Sequence, residues 1–276
     1  MGGGVSSFAL DLDTGHISPY PTSNFLYTLS APGPISPNQD TAHPHQALFD
    51  PTSKFVVVPD IGADLIRTYS AISASNSLAE LDTFHSSPGV GPRHGVFSPS
   101  GTQYYQLNEL GKSIDVFDVS YTPNIALTHV QNISVFPTNT NTTVISDSAA
   151  AEIVISGDGR FLYVSIREDG TFPDALVAPP PSNQTIVSDS FSAFSIKTGG
   201  VLAFLGQSPV GGRRPRQFSL DPKGSGDYIA VPTQDTGRVA IYKRDNHSGK
   251  LGSVPVASID LPAFGLKKPV CVTWLD

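Results

Sequence analysis

What this chain lacks narrows it before any motif is read. A lone cysteine, Cys271, leaves no partner for an internal disulfide and keeps the redox compartment open. No apolar run reaches the roughly 18 residues that a membrane helix needs, and no long stretch carries helical periodicity. Charged residues make up only 15%, and the formal net charge of −7 argues against a nucleic-acid partner. Met1-Gly-Gly-Gly-Val5 has neither the basic start nor the apolar core of a signal peptide. No histidine pair or carboxylate cluster has metal-site spacing, and no Gly-x-Ser-x-Gly occurs, so neither a metal, a cofactor nor a serine nucleophile is expected.

What is present is repetition, in a chain with 25 Gly and 24 Pro. His45-Gln-Ala-Leu-Phe-Asp-Pro-Thr-Ser53, Arg93-His-Gly-Val-Phe-Ser-Pro-Ser-Gly101, Ala151-Glu-Ile-Val-Ile-Ser-Gly-Asp-Gly159 and Arg216-Gln-Phe-Ser-Leu-Asp-Pro-Lys-Gly224 share one template, an alternating strand running into a tight turn. Second strands follow at Phe55-Val-Val-Val-Pro59, Tyr104-Tyr-Gln-Leu107, Phe161-Leu-Tyr-Val-Ser165 and Tyr228-Ile-Ala-Val-Pro232, rich in residues that suit a pleated, half-buried surface. A third set carries an aromatic in register at Tyr69, Phe117, Phe194 and Tyr242, and a looser fourth strand leads onward. Four short strands per unit predict an all-β fold of β-propeller blades.

The blades fall at about residues 41–88, 89–146, 147–210 and 211–265 of a single domain. Val5-Ser-Ser-Phe8 reads as a third strand, so 1–40 is a partial blade, and Pro269-Val-Cys-Val-Thr-Trp-Leu-Asp276 resembles a first strand. The expectation is an N-terminally shortened ring of about four and a half blades plus one inner strand at 269–276, whose open edges invite self-association; the competing reading is a self-sufficient five-bladed ring.

Counting eight residues from each turn reaches Ile61, Glu109 and Arg167, and Gln234 in the last copy after an insertion. First and second strands are antiparallel, so these positions lie beside the first-strand starts His45, Arg93, Ala151 and Arg216, with His94, Glu152 and Gln217 one place on. His45, Arg93, Glu109, Arg167, Arg216 and Gln234 are therefore expected to line one opening, a positive field suited to a small anion. Taken singly, each is better explained as a structural ion pair or a hydrogen-bonded strand residue, and it is their convergence that points to a site. The segment 168–190, containing Pro179-Pro-Pro181, is either a cover for that opening or a loose excursion. Arg213 and Arg214 would form a phosphate subsite or simply a solvated surface run.

His43-Pro-His45, Gly91-Pro-Arg-His94, Asn108-Glu109, Ala151-Glu-Ile153, Ser165-Ile-Arg167, Pro215-Arg216 and Gln234-Asp235 together resemble the lactonase family of seven-bladed β-propellers. That family includes the fungal 3-carboxy-cis,cis-muconate lactonizing enzyme and propeller-type 6-phosphogluconolactonases. The resemblance implies His45, Arg93, Glu109 and Arg167 as catalytic residues, with Arg216, Glu152, Gln234 and His94 binding a small anionic substrate. Ile166 and Thr233 stand where relatives often carry Asn. Lactone hydrolysis and lactonizing cycloisomerization both need a proton-transfer group beside a cation, and the residues leave both open. A non-catalytic binding scaffold and an inactive fragment are the alternatives. Sequons at Asn132, Asn141, Asn183 and Asn246 leave a cytoplasmic or a secreted location open.

Overall fold

The aromatic and β-branched runs become strands, each antiparallel to its neighbour, in a computed structural model that describes residues 2–179, 181–223 and 226–275. Met1, Pro180, Gly224 and Asp276, to which parts of the sequence reading refer, lie outside the described residues. The chain forms two compact units, Met1–Gly111 with Asp115–Val130, and Lys112–Ile114 with Gln131–Asp276.

The first unit begins with a two-stranded sheet, β1 (Gly4–Leu10) and β2 (Ile17–Leu26). Blade one follows as β3 (Leu48–Phe49), β4 (Phe55–Asp60), β5 (Leu65–Ile72) and β6 (Ser77–Glu80), with β7 (Phe84–His85) also paired to β5. Blade two is β8 (Pro92–Phe97), β9 (Gln103–Asn108), β10 (Ser113–Ser120) and β11 (Ala126–Ser134). The second unit adds a short helix α1 (Thr142–Asp147), capped by Asn141, which accepts the Thr143 N–H. Blade three is β12 (Ala149–Ile155), β13 (Phe161–Arg167), β16 (Ser190–Ile196) and β17 (Leu202–Pro209), interrupted by the hairpin β14 (Phe172–Leu176) and β15 (Thr185–Ser188). Blade four is β18 (Ser219–Leu220), β19 (Tyr228–Thr233), β20 (Arg238–Lys243) and β21 (Ala257–Asp260).

Burial explains why these runs are strands. Every residue of β4 and of β13 is buried, as a second strand flanked on both edges and both faces requires. Tyr69, Phe117, Phe194 and Tyr242 are fully buried, so the aromatic register marks the core. Phe8 departs from it and is 47% exposed, because β1 has β2 as its sole strand neighbour among the described residues. The segment 168–190 folds as a hairpin, with Ala175 opposite Ile186 and Leu176 opposite Thr185. Residues 269–275 pair in no ladder among the described residues. They are tied to blade four by Val272 N–H to Gln217 Oε1 (2.8 Å), Ser219 Oγ to Val272 O (3.1 Å) and Trp274 Nε1 to Ser219 O (3.2 Å).

Candidate functional site

Strand register puts the suspected residues in matching places within their blades. Phe49 pairs with Val56, Phe97 with Tyr104, Ile155 with Leu162 and Leu220 with Ile229. Four residues before the first members stand His45, Arg93, Ala151 and Arg216, and five after the second stand Ile61, Glu109, Arg167 and Gln234. The same backbone bond fixes three of the latter: Ile61 N–H to His43 O (3.1 Å), Glu109 N–H to Gly91 O (2.8 Å) and Gln234 N–H to Arg214 O (3.1 Å).

A register slip sits at this position in three blades. Pairing passes from Pro92–Asn108 to His94–Leu107, so Arg93 has no opposite residue. In blade three it passes from Ala150–Ile166 to Ile153–Val164, and in blade one from Pro44–Asp60 to Leu48–Val57, one residue gained on the first strand each time. Such bulges break the alternation of side chains and re-aim them, and they recur beside active sites.

Within the first unit the bulge assembles a charged and aromatic group. Arg93, 1% exposed, lies 2.8 Å from Glu109 Oε2 through Nε. The His45 and His94 rings meet at 4.9 Å between centroids, tilted by 54°. A guanidinium beside a carboxylate and two half-buried imidazoles supply a positive charge and several groups able to exchange protons.

Two glutamines that the sequence reading left unassigned hold this group. The bulge takes the His94 carbonyl and the Gly95 N–H out of the ladder. Gln106 Nε2 donates to His94 O at 3.0 Å, and Gln46 Oε1 accepts the Gly95 N–H at 2.7 Å. Gln106 is itself buried and oriented by Tyr104 Oη, 2.7 Å from its Oε1. Position 95 is glycine because a Cβ there would fall 2.0 Å from that same hydroxyl. A signal for Gln106 existed, since the aligned second strands carry Val58, Val164 and Val231 at its place.

In the second unit Arg167 ends β13 opposite Ala149 and is buried, Arg216 is exposed and Gln234 half-buried. Glu152 is buried; its N–H donates to Ser165 Oγ and its Oε1 accepts the Ile153 N–H, both at 3.1 Å. Arg213 and Arg214, weighed above as a phosphate subsite or a solvated run, form ion pairs. Arg213 Nε lies 3.1 Å from Asp189, and Arg214 lies 2.7 Å from Glu168 and 3.5 Å from Asp235.

Asp189 also escaped the sequence reading. Fully buried, it accepts the N–H groups of Glu168 (2.9 Å), Gly170 (3.0 Å) and Arg214 (2.6 Å). Asp64 does the same in the first unit, accepting Gly89 (2.7 Å) and Gly91 (2.8 Å). Gly91 and Arg214 both have left-handed backbone, φ 61° and 64°, two residues before Arg93 and Arg216. A carboxylate from one blade thus fixes the entry to the next. Beside Asp189, burial pushes the Asp169 carboxyl up to about 6, against the lowering effect of hydrogen bonds from Ser190 and Thr171.

Among the described residues no three or more His, Cys, Asp or Glu side chains gather as a metal site, and no helix is long and apolar enough to cross a membrane. Residues 1–274 match the family "Lactonase, 7-bladed beta-propeller". The chain belongs to this family.

Its relatives include a 6-phosphogluconolactonase of Formosa agariphila, 31% identical over 256 residues, covering 91% of this chain and 64% of that protein. Another is the 6-phosphogluconolactonase of Bacillus subtilis, 28% identical, covering 86% of this chain and 58% of that protein. Among solved structures, the periplasmic gluconolactonase of Pseudomonas aeruginosa superposes with a TM-score of 0.76 at 25% identity, over 94% of this chain and 64% of that one. A Lactobacillus plantarum protein superposes with a TM-score of 0.73 at 28% identity, over 90% of this chain and 64% of that one. The chain therefore spans about three-fifths of the length of these proteins.

Proposed function

We propose that this chain hydrolyses a small anionic lactone of the 6-phosphogluconolactone type. The relatives' names supply the substrate class, and the Arg93–Glu109 pair, set on a bulge beside the His45–His94 contact, is the observation that carries the reading. Glu109 or His45 removes a proton from water as its oxygen adds to the lactone carbonyl. The Arg93 guanidinium stabilises the oxyanion. Collapse of the tetrahedral intermediate breaks the ring C–O bond, and the departing alkoxide takes back the proton, leaving a hydroxy acid. Arg167, Arg216 and Gln234 stand at the matching blade positions of the second unit. Glu152 belongs to the same set, with one oxygen already committed to its own bulge.

Hydrolysis rather than lactonization is preferred because the relatives are named as lactone-opening enzymes. The test is proton release from 6-phosphogluconolactone and gluconolactone, corrected for spontaneous opening, with 3-carboxymuconate as the comparison substrate. Glu109→Gln is expected to lower kcat/KM on a lactone by about 10²–10⁴-fold with the fold intact. If the folded chain opens no lactone between about pH 5 and about pH 9, the reading fails and a binding scaffold takes its place.

A further inference from the structure

We propose that Asp115, acting through Asn108, is a positioning residue that holds Glu109 against Arg93. The inference deepens the function proposed above and, for its effect on turnover, rests on Arg93 and Glu109 acting at the lactone carbonyl.

Glu109 stands one residue past the end of β9, where the ladder runs out. Its N–H goes to Gly91 O, but the Gly91 N–H is turned to Asp64 Oδ1 at 2.8 Å, so this last pair keeps one of the two bonds that an antiparallel pair exchanges. The first strand alone holds it weakly. On the other side the preceding residue, Asn108, donates from Nδ2 to Asp115 Oδ2 on β10 at 2.8 Å, and Asp115 Oδ1 lies 3.0 Å from His129 Nε2 on β11. Asn108 and Asp115 are buried, and the His129 ring meets the buried Phe117 edge-on at 5.4 Å between centroids. A polar line thus crosses blade two from the strand that carries Glu109 to the outermost strand.

The other blades show what this position does. Asp60, Asn108, Ile166 and Thr233 directly precede Ile61, Glu109, Arg167 and Gln234. Arg67 Nε and Nη2 of β5 donate to Asp60 Oδ2 at 3.1 and 2.8 Å, and Thr233 Oγ1 donates to Arg238 O of β20 at 3.2 Å. Three of the four blades therefore brace the second strand to the third from one place, and Ile166 has no polar side-chain atom with which to do so. Arg67 and Asp115 share a register position, two residues before Tyr69 and Phe117. Blade one carries its carboxylate on the second strand; blade two carries it on the third and sets a neutral amide beside the site. A second carboxylate next to Glu109 would repel its charge and compete for the Arg93 guanidinium. The amide transmits the hold without that charge, and because a carboxylate only accepts, it also fixes which end of the Asn108 side chain faces β10.

Asp115→Ala removes the acceptor and should lower kcat for lactone opening by about 10–10²-fold with a smaller change in KM, as a displaced reacting group does. Asp115→Asn should recover much of that loss, because its amide oxygen still accepts from Asn108. In a Glu109→Gln background Asp115→Ala should cost nothing further. Unchanged kcat in folded Asp115→Ala, an Asp115→Asn variant equally slow, or a loss that multiplies with that of Glu109→Gln overturns the proposal. Should Asp115→Ala not fold, Asn108→Ala replaces it with the same expectations. Solvent exchange of the Arg93 Nε–H, followed by heteronuclear NMR and identified by its loss in Arg93→Lys, reads the hold without turnover. It should quicken in Asp115→Ala as Glu109 loosens from Arg93. A parent chain that opens no lactone overturns the function proposed above, and the exchange rate then decides the positioning of Glu109: quickened exchange supports it and unchanged exchange overturns it.

Discussion

Blades two and three solve one structural problem with different side chains. Both carry the bulge at the start of their first strand, at Arg93 and at Ala151-Glu152. In blade two the Gly95 N–H goes to Gln46 and the His94 carbonyl to Gln106. In blade three the equivalent Ile153 N–H goes to the carboxylate of Glu152, whose own N–H goes to Ser165. Blade two therefore repairs its bulge with neutral amides and leaves Arg93 to pair with Glu109 and the His94 ring to meet His45. Blade three spends part of a charged side chain on the backbone. The fold sets the position, and the choice of repairing side chain decides how much charge remains for chemistry.

Breaking the comparison should have its largest effect at Arg93. Arg93→Ala gives blade two the residue that blade three already tolerates, so folding should persist while kcat/KM for lactone opening falls by about 10²–10³-fold. Asp189→Ala removes the buried carboxylate that holds the start of the inserted segment of blade three and the entry to blade four. It leaves three amides and Arg213 without their acceptor and should cost about 3–5 kcal/mol in urea unfolding. Gln106→Leu removes the buried amide that donates to the His94 and Leu107 carbonyls and should cost about 1–3 kcal/mol. It should also lower kcat more than it raises KM, because it loosens the bulge that carries Arg93, the group proposed to stabilise the oxyanion.

The smallest effect is a pH dependence at Asp169. Burial raises its carboxyl from the ordinary aspartate value of 3.8 to about 6, so the protonated form is favoured on folding. Its stabilising contribution is complete below pH 3.8 and is lost as pH rises through about 6. The difference in melting temperature between the parent and Asp169→Asn should therefore change across that interval and be flat above it.

Much of this was legible because a propeller writes its register repeatedly. The turn-to-turn spacing located Glu109 and Arg167 without any structure, and the third-strand aromatics located the core at Tyr69, Phe117, Phe194 and Tyr242. The bulge was not legible, since an extra residue in one strand changes pairing without leaving a mark in the residue pattern. The equivalence of Asp64 and Asp189 was hidden by the hairpin inserted between Arg167 and β16, which destroys the count from one strand to the next. Phe8 fitted the aromatic register and is nevertheless half in solvent, because periodicity reports a side chain's direction and says nothing about what covers it.

The account rests on Arg93 and Glu109 acting as one unit in lactone opening, and a double-mutant cycle on kcat/KM measures that directly. If they do, Arg93→Ala combined with Glu109→Gln should be no slower than the slower single variant. Losses that multiply would show two independent residues and contradict the account.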